Sequence, residues 1–130
     1  MRYAIITKIF RFESAHHLPG YHGKCARPHG HSYRLEVTIR GPIKDEPGES
    51  DHGMVMDFGA LSQVVETSVI ERLDHQDLNA VTGLQTTAEN LAHWIWSELL
   101  VQGLSEVLLY RIRLWETEGC FVEITQQERN

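Results

Sequence analysis

The stretch K-C-A-R-P-H-G-H-S-Y-R-L-E-V, from Lys24 to Val37, passes from a loop into a strand. Its second half alternates: Tyr33, Leu35, Val37 and then Ile39 share one parity, and Arg34, Glu36, Thr38 and Arg40 the other. Successive side chains of a strand point to opposite faces, so this pattern predicts a half-buried strand over His31–Arg40, apolar toward a core and charged away from it. His29 and His31 have the parity of the apolar set. They carry the core-facing row on to the open end of the strand, with Cys25 four residues upstream of His29.

Working outward, Tyr3 to Ser14 also has strand character, with Ile6, Phe10 and Phe12 on the even-numbered face. The segment between the two strands, Leu18 to Pro28, is a loop rich in glycine, histidine and proline. Gly41 to Gly53 is polar and full of turn formers, hence an exposed connection. From Phe58 to about Leu73, Leu61, Val64, Val65, Val69 and Leu73 follow helical spacing. A second helix is expected after Thr86-Thr87, where Thr86 and Glu89 have capping-box spacing, with Leu91, Trp94, Ile95 and Leu99 on its inner face. Strands over Val107–Trp115 and Cys120–Thr125 close the chain. The order, two strands, two helices, two strands, predicts an α+β fold in one domain spanning residues 1–130. Its four-stranded antiparallel sheet would carry both helices on one face.

Composition narrows the function. A net charge of −6 leaves no basic footprint for nucleic acid or an anionic membrane. No apolar run nears the roughly 18 residues of a transmembrane helix. The N-terminal M-R-Y-A-I-I-T-K-I-F-R-F-E alternates and does not read as a signal peptide. Two cysteines, Cys25 and Cys120, make no disulfide framework. A cytoplasmic enzyme or binding protein is expected. Eight histidines is the unusual count.

His16 has the parity of Phe10 and Phe12, and His17 the opposite one. If the first two strands are neighbours, as a short connection favours, His16, His29 and His31 converge where the apolar faces run out. Three neutral imidazoles suit zinc and leave a fourth position for water or substrate, a catalytic arrangement. The plain alternative is satisfied or solvated histidine, and His17, His22, His52 and His93 are read that way. Cys25 sits in a loop with Lys24 and Arg27, surroundings that favour a reactive thiol. Cys120 reads as packing. Asp74 beside His75 suits either proton transfer or a polar helix-ending turn. Glu116 ends the row of Leu108, Tyr110, Ile112 and Leu114. It would either accept two adjacent ring N–H groups, as a carboxylate accepts arginine, or be solvated.

F-E-S-A-H at 12–16, C-A-R-P-H-G-H at 25–31, G-M-V-M-D-F at 53–58, L-D-H-Q-D-L-N at 73–79, T-A-E-N-L-A at 87–92 and W-E-T at 115–117 together span nearly the whole chain. In order and spacing they resemble the 6-pyruvoyl-tetrahydropterin synthase family. The three-residue gap in C-x-x-x-H-G-H resembles the branch of that family that makes a 6-carboxy product for queuosine biosynthesis. The resemblance implies zinc on His16, His29 and His31, and Cys25 as proton acceptor. It implies relay positions at His75, Asp74 and Glu116, and pterin contacts from Glu116 and Thr87. The implied substrate is 7,8-dihydroneopterin triphosphate, with Lys24 and Arg27 placed by charge to hold the triphosphate. The implied fold is the T-fold (ββααββ), whose sheets join in trimers as a β-barrel and stack as homohexamers, with active sites between subunits. Other readings are a 6-pyruvoyl product from the same substrate, a zinc hydrolase, and a non-catalytic module stabilised by zinc.

Overall fold

The computed structural model describes all residues from Met1 to Asn130. β1 (Tyr3–His16) and β2 (His29–Pro42) pair antiparallel in unbroken register, from Tyr3 opposite Pro42 to His16 opposite His29. Both strands run further toward the loop than their hydrophobic pattern indicates, because backbone pairing continues after the apolar residues stop. The outer edge of β1 is covered at this end: Ala15 N–H donates to Gln76 O (3.0 Å) and His75 N–H to Glu13 O (2.5 Å). β3 (Leu109–Thr117) and β4 (Cys120–Thr125) complete an antiparallel sheet of order β1-β2-β3-β4.

Two irregularities in β3 correct the simple alternation. Thr38 pairs with Arg111 but Ile39 with Leu109, so Tyr110 is an extra residue. Leu109 rather than Tyr110 therefore faces the core: the former is 1% exposed, the latter 40%. A second slip, with Trp115 opposite Phe121 and Thr117 opposite Cys120, leaves Glu116 unpaired in the ladder. Bulges of this kind re-aim a side chain, and they recur beside active sites.

The helices lie over the apolar face of the sheet. α1 (Phe58–Val65) is capped by Asp57, whose carboxylate accepts from Ala60 N–H at 3.0 Å. The helix continues as a π-helical turn (Glu66–Ile70) into α2 (Glu71–Leu73), a departure from the single regular helix expected over this span. Ser68 accounts for the change: buried, it donates its hydroxyl to Val64 O at 2.5 Å and competes for a helical acceptor. α3 (Leu78–Thr82) is an additional short helix between Asp77, its N-cap, and Gly83, whose φ of +69° suits glycine. α4 (Ala88–Val101) is capped by Thr87, not Thr86; Asn90 N–H donates to its hydroxyl at 3.2 Å. Leu61, Val65, Val69, Leu73, Leu91, Ile95, Trp96 and Leu99 of these helices join Phe10, Phe12, Tyr33, Leu35, Val37, Ile39, Ile112 and Leu114 in one core. No helix is long and apolar enough to cross a membrane.

Candidate metal centre

The end of the β1–β2 ladder delivers the histidines. His16 stands opposite His29, and His31 lies two residues further along β2 on the same face. One ring nitrogen of each lies within 4.8 Å of the others, with centroid separations of 4.6, 4.9 and 5.0 Å. His16 is buried, while His29 and His31 are half-buried. His17 lies outside the group; its backbone N–H donates to Asn79 Oδ1 instead.

Hydrogen bonds fix which nitrogen faces inward. His16 Nδ1 is 2.9 Å from Thr86 O, and His29 Nδ1 is 2.8 Å from Arg27 O. A carbonyl only accepts, so both Nδ1 atoms carry the proton and both Nε2 atoms present a lone pair. The Nε2 atoms of His16 and His31 are buried without any partner. Burial pushes His16 below the usual histidine value, against the opposing pull of its bond to Thr86 and the charge of Glu116. Burial also lowers His31, again opposed by Glu116. Neutral imidazole is the ligand form, and these three histidines could hold a metal ion. Glu116 faces the same spot, its oxygens 4.0 Å from His16 Nε2 and 3.8 Å from His31 Nε2.

Glu116 also opens onto a cavity of about 250 Å³ shared with Leu18, Thr87, Cys120, Phe121 and Val122. Glu116 and Thr87 thus meet on one wall system beside the histidines. Cys120 is exposed at its rim, which corrects its reading as a packed residue: it directly follows the Glu118-Gly119 turn, where the core has ended.

Cys25 is half-buried on a single helical turn, Lys24–Ala26, outside the imidazole cluster. Leu18 N–H donates to Cys25 O at 2.9 Å and ties this turn to the end of β1, while Lys24 and Arg27 are exposed. Asp74 and His75 do pair, with Oδ2 and Nδ1 3.0 Å apart. Asp74 also accepts from Glu13 N–H at 2.9 Å, the first of the contacts that hold its carboxyl below the usual range. The His75 side chain is 77% exposed beside the outer edge of β1, and its backbone has φ +58°. One chain therefore brings together the three histidines, Glu116 and Thr87, and leaves the Asp74–His75 pair facing solvent. Thr86, the acceptor for His16, escapes a reading based on local spacing, since its partner lies 70 residues away.

Comparison with known proteins agrees with this fold. A family model described as 6-pyruvoyl tetrahydropterin synthase matches residues 5–127. A 6-carboxy-5,6,7,8-tetrahydropterin synthase of Synechocystis is 41% identical over 114 residues, covering 87% of this chain and 86% of that protein. A 6-pyruvoyl tetrahydrobiopterin synthase of Dictyostelium discoideum is 35% identical over 135 residues, covering 93% and 95%. The structure of the Caenorhabditis elegans 6-pyruvoyl tetrahydropterin synthase superposes with a TM-score of 0.83 at 25% identity, covering 96% of both chains.

Proposed function

This chain belongs to the 6-pyruvoyl tetrahydropterin synthase family, and on that premise we propose that it is a zinc-dependent lyase. It converts 7,8-dihydroneopterin triphosphate and water to 6-carboxy-5,6,7,8-tetrahydropterin, acetaldehyde and triphosphate, in cytoplasmic 7-deazapurine (queuosine) biosynthesis. The observation that carries this reading is the core-facing trio of imidazoles, two of them (His16 and His31) with orphaned Nε2 atoms, beside Glu116.

His16, His29 and His31 would hold the zinc. Bound there, zinc supplies Lewis acidity toward oxygens of the substrate side chain. Glu116 accepts the paired N–H groups of the pterin edge, and Thr87 lines the same cavity. Cys25 takes a proton from the substrate side chain, and His75, held in one tautomer by Asp74, serves the opposite side of the proton traffic. Lys24 and Arg27 hold the triphosphate by charge. In this reading the site is completed between subunits, which the solvent exposure of His75 at the edge of β1 supports. The open sheet has two edges, β1 and β4, whose pairing in trimers would form a barrel, stacked in pairs as hexamers.

Relatives carry the names of both products. The three-residue gap between Cys25 and His29 favours the 6-carboxy branch. Incubation with 7,8-dihydroneopterin triphosphate, followed by mass analysis, should yield the 6-carboxy product with acetaldehyde; a 6-pyruvoyl product places the chain in the other branch. Cys25→Ala should lower turnover by at least about 10²-fold while keeping affinity for a non-reacting pterin. Glu116→Ala should weaken that affinity. The reverse pattern would reject these roles.

A further inference from the structure

Thr86 is fully buried, and it is Thr87 that caps the helix that follows. His16 Nδ1 lies 2.9 Å from Thr86 O and 3.1 Å from Thr86 Oγ1. The Thr86 hydroxyl in turn lies 3.1 Å from Asn79 Oδ1 and 3.3 Å from His17 O. Asn79 closes the circuit, accepting from His17 N–H at 3.0 Å and donating its Nδ2–H to His17 O at 2.9 Å. One polarity satisfies every member. Asn79 must show its oxygen to the His17 N–H and its amide hydrogens to the His17 carbonyl. Thr86 then donates to Asn79 and leaves its own lone pair and carbonyl for the His16 Nδ1–H.

We infer that Thr86 and Asn79 are positioning residues for the metal centre, an assignment that rests on the metal reading above. Thr86 sets the tautomer and ring plane of His16, and Asn79 sets the Thr86 hydroxyl while clamping the backbone where β1 ends. Partners of this kind behind a metal-bound histidine typically change metal affinity by 10–100-fold. The clamp also joins the two halves of the site. Thr86 holds a ligand of the metal, and the next residue, Thr87, lines the cavity shared with Glu116. By reciprocity, zinc must stabilise the 79–87 segment by the same factor that the segment strengthens zinc binding.

The test measures Zn2+ affinity by competition with a chelating dye, at a temperature where circular dichroism shows each variant folded. The parent chain should bind about one zinc. Thr86→Val, which keeps shape and carbonyl but loses the hydroxyl, should bind about 10-fold more weakly. Thr86→Ser should stay within about 2-fold of the parent, well inside the effect of losing such a partner. Asn79→Ala should weaken zinc in the same direction, and it carries the test if Thr86→Val does not fold. In the zinc-free protein, long-range proton–nitrogen correlations should report the Nδ1–H tautomer for His16. Unchanged affinity in folded Thr86→Val, a Thr86→Ser as weak as Thr86→Val, or an Nε2–H tautomer for His16 would overturn the inference. A parent chain that binds no zinc would overturn the metal reading as well, so the two failures are distinguishable.

Discussion

The two faces of this sheet are built from the same strands, one residue apart, and they treat charge in opposite ways. On the face left uncovered by helices, Glu36 pairs with Arg34 at 2.9 Å, accepts from Trp115 Nε1 at 2.9 Å and faces Arg113 at 3.9 Å. Arg113 binds Glu123 at 2.6 Å, with Arg111 at 3.8 Å. Arg34 lies over the Trp115 ring and Arg113 over Phe121. The carboxylates there are matched, and the loose ends are single Nε atoms of Arg34 and Arg111. On the helix-covered face the same strands run out into three imidazoles and Glu116, and the inward nitrogens of His16 and His31 have no partner. A buried polar atom left unmatched costs about 1–3 kcal/mol. Such atoms point to a ligand, whereas a matched charge network points to architecture. Neither charge nor a single unmatched atom marks the site; unmatched nitrogens that converge on one point do.

The widest separation between the faces should appear in metal content. His16→Ala, His29→Ala and His31→Ala each remove one of three ligands, and elemental analysis after dialysis should find little zinc left. Glu123→Gln, on the other face, should keep the parent content. Zinc retained by all three histidine variants, or lost in Glu123→Gln, would erase the distinction.

A smaller effect of opposite kind is expected from Glu36→Ala. Glu36 is 7% exposed, and its removal leaves the Trp115 N–H and the Arg34 guanidinium without their acceptor. Unfolding in denaturant should show a loss of about 1–3 kcal/mol. Zinc affinity in the folded state should not change. A drop in affinity comparable to that of a histidine variant would mean that the two faces are coupled.

How far the sequence discloses this arrangement depends on how local each cause is. The parity of β2 places His29 and His31 on the apolar face, and that inference needs nothing beyond the strand itself. His16 needed one further assumption, that β1 and β2 are neighbours, and they are. Parity fails at Tyr110, because alternation presumes an unbroken ladder and a bulge intervenes. It works for Glu116 despite a second bulge, a success that strand alternation does not explain. Thr86 and Thr87 are both acceptable caps by local chemistry. What decides between them is His16, far away in the chain, which claims Thr86 and leaves Thr87 to the helix. The π-turn at Glu66–Ile70 is hidden for a similar reason: Ser68 alters it only once buried. Cys120 looks apolar by its neighbours, and only the preceding turn exposes it.

The subtlest expected difference concerns acid. His16 and His31 lie below the ordinary 6.5, with burial as the first cause for each, while both titrate normally in the unfolded chain. Well above pH 6.5 neither state holds the second, charging proton on these rings, so their stability contribution is fully present and flat. As pH falls below 6.5 the unfolded chain binds protons that the folded chain refuses, and stability declines until the folded imidazoles protonate in turn. Asp74 also sits below its ordinary 3.8, so the loss of its contribution belongs to a more acidic window and does not confuse the result. The zinc-free protein should therefore lose a few degrees of Tm between pH 7 and pH 5, an effect on the order of 1 kcal/mol for a domain of this size. His31→Gln should flatten the slope, because it removes one of the two resisting groups, and Glu123→Gln should leave the slope alone. Zinc should add stability at pH 7 and progressively less in acid, since the same nitrogens must shed protons to bind it. A zinc-free Tm that rises from pH 7 to pH 5 would show the imidazoles protonated in the fold, and the unmatched lone pairs on the helix-covered face would then not exist at neutral pH.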